Sequence, residues 1–205
     1  MAVNDDAWQE TAGVSIMVQG GTEDIPFQSI TEEIEFDGFE KDFESIATLS
    51  GGRLVKVTSE GDVTVTLTAY PQEAGNLDVS AATTPTGFFD MLHAEDTGEA
   101  QVISATRART KYRIAVLWTD ATITNANQAI VSPTNKCLRF VGANGYITSV
   151  KPSFSDKLLK FEVTFKLPPF DSAGAANYKW ESVNGETGAT VTLTALASYT
   201  TSAKW

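Results

Sequence analysis

At 205 residues, 42% of them hydrophobic and 20% charged, the chain is long enough to bury a core and too rich in aromatic residues to be disordered throughout. Its formal net charge is −11, from 26 acidic against 15 basic side chains, a balance that repels phosphates and argues against sequence-reading nucleic-acid binding. Cys137 is the only cysteine, which excludes an intrachain disulfide, and with His93 as the only histidine no zinc set can be assembled.

The N-terminal Met-Ala-Val-Asn-Asp-Asp lacks the basic and apolar regions of a secretory leader, so synthesis in a cytoplasm is expected. No apolar run approaches the roughly 18 residues that span a bilayer. The pattern begins with a strand over Val14–Val18, ended by Gln19-Gly20-Gly21. Residues 22–50 carry eight carboxylates from Glu23 to Asp42 and apolar residues without a clean period, which predicts an extended loop or arm. Two runs follow, Arg53–Val57 and Asp62–Tyr70, and their spacing around Gly61 predicts an antiparallel hairpin.

The second run alternates strictly. Val63, Val65, Leu67 and Ala69 fall on one face, and Thr64, Thr66 and Thr68 on the other. Pro85 followed by Thr86–Ala94, with Phe88, Phe89, Met91 and Leu92, predicts one short helix. Lys111–Trp118 reads as a strand with Tyr112, Ile114, Val116 and Trp118 on one face. Cys137–Val141 and Tyr146–Val150 flank Gly142-Ala-Asn-Gly145, whose Asn-Gly pair predicts a tight turn. Leu158–Leu167 alternates as a long half-buried strand before Pro168-Pro169, residues 171–188 are turn-rich, and Val191–Ala195 repeats the threonine alternation. This order is all-β with one short α-helix, a β-sandwich or barrel in a single domain over residues 1–205.

No catalytic constellation emerges, so no enzymatic activity and no cofactor are expected. His93 sits at the end of the predicted helix, where a charge would suit the helix dipole. Cys137 reads as a small buried residue of a strand. There is no nucleophile elbow and no phosphate-cradling glycine loop. The acidic residues Glu32, Glu33, Glu35 and Asp37 could pair for glycoside hydrolysis or gather oxygens for calcium, but their density suits a solvated segment, and the calcium-loop signature is absent. Trp118 shares a strand face with core residues, whereas Tyr178 and Trp180 fall in the turn-rich region and could anchor a protein or a sugar. Trp8 and Trp205, near the chain ends, suit docking segments.

Phe36-Asp-Gly-Phe-Glu40 leads into Leu49-Ser-Gly-Gly-Arg-Leu54 and Glu60-Gly-Asp-Val-Thr-Val-Thr-Leu67, followed by Gly87–Leu92, Ala143–Pro152, Leu159–Phe165 and Pro168–Asp171. In this order the chain resembles the major tail protein, or tail tube protein, of long-tailed viruses of bacteria and archaea, over roughly Gly51 to Tyr178. The acidic bias would suit a salt-loving host. The resemblance implies a non-enzymatic virion tail subunit that self-assembles into rings, usually of six. Such rings stack into a tube beside other tail proteins such as the tape measure, and the lumen conducts DNA without binding it specifically. It further implies that Thr64, Thr66 and Thr68 face the lumen and that Phe36, Phe39 and Phe43 serve ring-to-ring contact. A carbohydrate-binding β-sandwich, a head decoration protein and a tail terminator are the alternatives.

Overall fold

The computed structural model describes residues 11–22, 29–57, 60–71, 91–95, 101–103, 105–119, 126–127, 130–131, 136–183 and 190–199. Within them strand is the dominant element: β1 (Thr11–Val18), β2 (Ser29–Asp37), β3 (Phe43–Ala47), β4 (Arg53–Val57), β5 (Val63–Pro71), β6 (His93–Glu95), β7 (Gln101–Ile103), β8 (Tyr112–Thr119), β9 (Ile130–Val131), β10 (Cys137–Ser155), β11 (Leu158–Leu167), β12 (Tyr178–Val183) and β13 (Val191–Thr192). Seven of them form one curled sheet in the order β1-β8-β10-β11-β5-β2, with β12 also on β10.

The curl follows from β10. Its first half lies between β8 and β12, and its second half pairs with β11. The chain runs straight through Gly142–Gly145 with only a register shift, rather than making the turn that Asn144-Gly145 suggested. Neither glycine has a positive φ, so neither is there for turn geometry. Both are there for space. A Cβ on Gly145 would lie 2.5 Å from the Lys166 carbonyl oxygen and from the Phe165 ring, and one on Gly142 would lie 3.0 Å from Ile114. The turn instead comes later, at Asp156-Lys157, both with the positive φ of a two-residue hairpin loop.

Two half-sheets therefore face each other across one core. The inner half holds β10 from Tyr146 onward, then β11, β5 and β2; the outer half holds β1, β8, the start of β10, and β12. Between them Val63, Val65, Leu67 and Ala69 pack against Phe161, Val163, Phe165 and Leu167, with Ile16, Tyr112, Ile114, Val116 and Phe140 opposite. Burial of such side chains contributes about 1.5–3 kcal/mol each, which fixes the strand register, since a one-residue slip would turn all of them to solvent.

The residues of the outer half-sheet that point away from this core make a second one: Met17, Ala115, Leu117, Cys137 and Val141 lie under Leu193 and Leu196. Two buried arginines clasp that covering segment. Arg139 donates to the carbonyls of Asn127 (3.0 Å) and Thr194 (2.6 Å) and pairs with Glu181, while Arg113 donates to the carbonyl of Ala197 at 3.1 Å. Burial works against charge on Glu181, but hydrogen bonds from Lys179, Tyr199 and Arg139 outweigh it and hold its carboxyl below the ordinary value. Cys137 is buried here, as its place on a strand suggested.

Three further expectations are corrected. Arg53–Val57 does not pair with the Asp62–Tyr70 run; it pairs with β3 across the Thr48–Gly52 loop, where Gly51 takes φ +80°. Residues 178–183, in the region expected to be turn-rich, form β12, which pairs with the first half of β10, and only the preceding Asp171–Asn177 stretch turns, with Asp171 accepting from the backbone of Ala173 and Ala175. Val191–Ala195 keeps just two residues of strand. The expected helix over Thr86–Ala94 lies outside the described residues as far as Asp90, and at its end His93 begins β6.

Replacing Arg139 by Leu strips the Thr194 and Asn127 carbonyls of a donor and takes from Glu181 one of its three. The expected loss is about 3–5 kcal/mol, seen as a lower urea midpoint with an unchanged slope, whereas Lys179→Ala, which removes an exposed partner of the same carboxylate, costs under about 1 kcal/mol.

Candidate assembly surfaces

With its inner face in the core, the inner half-sheet has an outer face built from alternate residues. Thr64, Thr66 and Thr68 of β5 run down its middle, half-buried. On one side they face Asp37, Glu35 and Glu33 of β2, and on the other Lys166, Thr164 and Glu162 of β11. Beyond β11 come Tyr146, Ser149 and Lys151 of β10. Lys151 is paired with Glu162 at 2.9 Å, and Lys160 lies over the Tyr70 ring at 5.1 Å. The three threonines thus share one broad, mixed polar wall, with acids concentrated at the β2 margin.

Both margins of this wall are open among the described residues. β2 pairs only with β5. On the other margin, β8 leaves β10 after Gly145, so the edge from Tyr146 to Ser155 has no strand beside it. A cleft of about 440 Å³ opens at the point of departure, lined by Leu92, Ala108, Tyr146, Ile147 and Thr148. An unpaired edge of this length presents a row of backbone donors and acceptors ready for another chain.

The β3–β4 hairpin is a second surface. It makes its own two-stranded sheet, and both of its faces are apolar: Phe43 (68% exposed), Ile46, Leu54, Val55 and Val57 lie open, and Leu49 at the tip is fully exposed. One exposed apolar side chain means little, but six on one hairpin make a contiguous apolar patch larger than a lone surface residue gives.

The hairpin's base is tightly held. Gly38 takes φ +97° where a Cβ would run into the Asp62 carbonyl, so the chain leaves β2 in a conformation reserved for glycine. Glu60, where the chain returns, accepts a hydrogen bond from the Tyr178 hydroxyl of β12 and pairs with Lys41 at 3.1 Å. Phe39 packs edge-on to Tyr178 at 5.3 Å. Phe36 sits deeper, with ring centroids 5.0 Å from Phe140, 5.5 Å from Trp180 and 5.7 Å from Trp118. Of the three phenylalanines expected at a contact between rings, Phe36 and Phe39 are therefore engaged within their own chain, and Phe43 stands free on the hairpin. Trp118 and Trp180 are stacked on each other at 6.0 Å, although Trp180 stays 43% exposed.

Hydrogen bonds from Tyr178 and from Lys41 hold the Glu60 carboxyl below its usual value. Burial first, and then the bond to Glu60, push the Tyr178 hydroxyl up to about 12. Because the folded value lies above the ordinary 10.0, this contribution to stability is complete below pH 10 and is lost as pH rises toward 12. In an ultraviolet titration read as the difference from a Tyr178→Phe variant, the Tyr178 signal should appear late. Glu60→Gln should bring that tyrosine part of the way back, burial supplying the remainder, and an unchanged titration would break the assignment.

No protein-family model and no curated protein matches the chain. Among solved structures, the anti-feeding prophage cap (AFP tube terminating cap) aligns over 89% of this chain and 95% of its own, at 13% identity and a TM-score of 0.46. A chain of the sheath-tube complex of an extracellular contractile injection system (PVC) aligns over 83% and 88%, at 16% identity and 0.44. A chain of that system's sheath/tube terminator aligns over 82% and 92%, at 16% and 0.43. Likenesses this loose do not carry function.

Proposed function

We propose that the chain is a structural subunit of a viral tail tube, that it acts by self-assembly without catalysis, and that its inner half-sheet is the element that repeats around a ring. One observation carries this reading: a four-stranded half-sheet has a polar outer face and two open edges. Its strands alternate in direction, so β2 and the second half of β10 run opposite ways. Copies that share one axis then add edge to edge, each β2 antiparallel to the next copy's β10, with no copy inverted. A head-to-tail contact of this kind closes into a ring when its rotation closes, and closure removes the edges altogether.

Length and charge fit the pairing. β2 has nine residues and the open stretch of β10 has ten, 146–155. Glu33, Glu35 and Asp37 line one margin, whereas the other carries Tyr146, Ser149 and Lys151. In the ring the polar wall faces the lumen. Thr64, Thr66 and Thr68 then give it a hydrated, uncharged centre, and the acids beside them repel phosphates, so DNA passes without being held.

Cysteine placed at Glu35 and at Ser149, in a Cys137→Ser background, tests the edge pairing. Treatment of concentrated protein with a short bis-maleimide should give a ladder of covalent oligomers that ends at one size, and electron microscopy of the same sample should show rings of that number. A strict monomer at every protein and salt concentration would sink the reading. Rings that never stack would indicate a terminating subunit rather than a tube subunit.

A further inference from the structure

Lack of space accounts for Gly145, but nothing in the packing of β10 accounts for the residue before it. Asn144 is 1% exposed, and neither end of its side-chain amide has a hydrogen-bond partner among the described residues. A buried amide left unpaired costs stability, and an apolar side chain of the same shape would serve the fold at least as well. The Asn144 side chain therefore does not hold β10 together. What remains is its chemistry, because asparagine followed by glycine is the pair most prone to lose its amide.

We propose that Asn144 is a site of spontaneous modification that the fold masks and unfolding uncovers. The main-chain nitrogen of Gly145 attacks the side-chain carbonyl carbon of Asn144. The bond to the amide nitrogen breaks, and ammonia leaves with the proton from the Gly145 nitrogen. Water then opens the cyclic imide at one carbonyl or the other, giving aspartate or backbone-lengthened isoaspartate. Glycine suits the attack because its backbone turns freely and carries no Cβ to shield the nitrogen. In the folded chain that turn is denied. The strand is fixed on both sides of the pair, by Gly142 opposite Ile114, Gly145 opposite Tyr112 and Tyr146 opposite Lys166. Gly145 also lies so close to the Lys166 carbonyl and the Phe165 ring that its peptide has no room to rotate. Burial keeps out the water that the second step consumes.

Neither product fits the fold. Aspartate sets a carboxylate where the amide it replaces found no donor, and a buried charge without a partner is strongly unfavourable. Isoaspartate adds a methylene to the backbone of β10 at the point where the strand changes partners, so the register on one side or the other is lost. A chain that stays unfolded long enough to react is withdrawn permanently, and the pair thereby limits the time available for folding rather than the stability reached. This concerns a single copy and is independent of the ring.

The test holds the full chain in concentrated urea, warm and mildly alkaline, and dilutes samples into native buffer at intervals. The refolded fraction is separated from the remainder, and the peptide containing Asn144 is weighed in each by mass spectrometry. The refolded fraction should carry the intact amide, the remainder should carry aspartate or isoaspartate, and the yield should fall in step with conversion. Folded protein kept for the same time without urea should retain Asn144. Modified residue 144 found equally in both fractions, or conversion as fast in the folded chain as in urea, would overturn the proposal. The sequence has one other such pair, Asn184-Gly185, and the variant Asn144→Leu measures its share of the loss. That variant should melt no lower than the natural chain and lose less yield on ageing; an equal loss would also overturn the proposal. Asn144→Asp writes one product in directly and should give no folded protein, whereas a natural melting temperature for it would sink the idea.

Discussion

The close approach of β10 to its neighbours at Gly142 and Gly145 is the constraint from which the rest of the architecture follows. A strand of 19 residues cannot serve one flat sheet and still enclose a core. With no Cβ at these two positions, Ile114 comes from one side and Phe165 and Leu167 from the other, so close that a Cβ at Gly145 would collide and one at Gly142 would be crowded. The strand changes partners there, from β8 and β12 to β11, without being cut. That exchange makes two half-sheets out of one, and it leaves the far half of β10 without a neighbour on one side. The edge proposed for assembly is thus a direct result of the packing that closes the core.

The two faces of β8 show how firmly the outer half-sheet is then held. Tyr112, Ile114 and Val116 face the main core, and Ala115 and Leu117 face the second one. A strand buried on both sides needs a cover, and residues 190–199 supply it with little regular structure of their own. Leu193 and Leu196 fill the apolar sockets, while Arg113 and Arg139 take up the carbonyl groups that a covering segment without a ladder leaves unpaired. Buried guanidinium groups suit this task because five fixed donors can reach several carbonyls at once. The cost of burying their charge is offset at Arg139 by Glu181.

Much of this was legible in the sequence where alternation was strict. The faces of Val63–Ala69, Tyr112–Trp118 and Leu159–Leu167 fall as the period of two requires, and Cys137 is the buried strand residue it resembled. The failures came where one residue type serves two ends. Asn144-Gly145 looks like a turn because glycine permits positive φ, but here glycine is present for its missing side chain, and only a three-dimensional neighbour reveals that. After Arg53–Val57 the Ser-Glu-Gly stretch resembles a hairpin loop, while the working loop is Leu49-Ser-Gly-Gly52 on its other side. Residues 22–50 hid a sheet strand, β2, because its outward residues are Glu33, Glu35 and Asp37 and its inward ones include an aromatic that packs on distant rings. Long-range partners such as Glu60 with Tyr178 leave no local signal at all.

The lateral pairing proposed for the two open edges is governed by opposed physical terms. Lateral pairing joins backbone groups that water already satisfies, so its net gain per hydrogen bond is modest, and it brings together chains that each carry a charge of −11. Salt screens that repulsion, because exposed charges farther apart than about 8–10 Å are largely hidden from one another at physiological ionic strength. In a closed ring every copy would be held at two edges, so closure would add together strand pairings that are each weak alone.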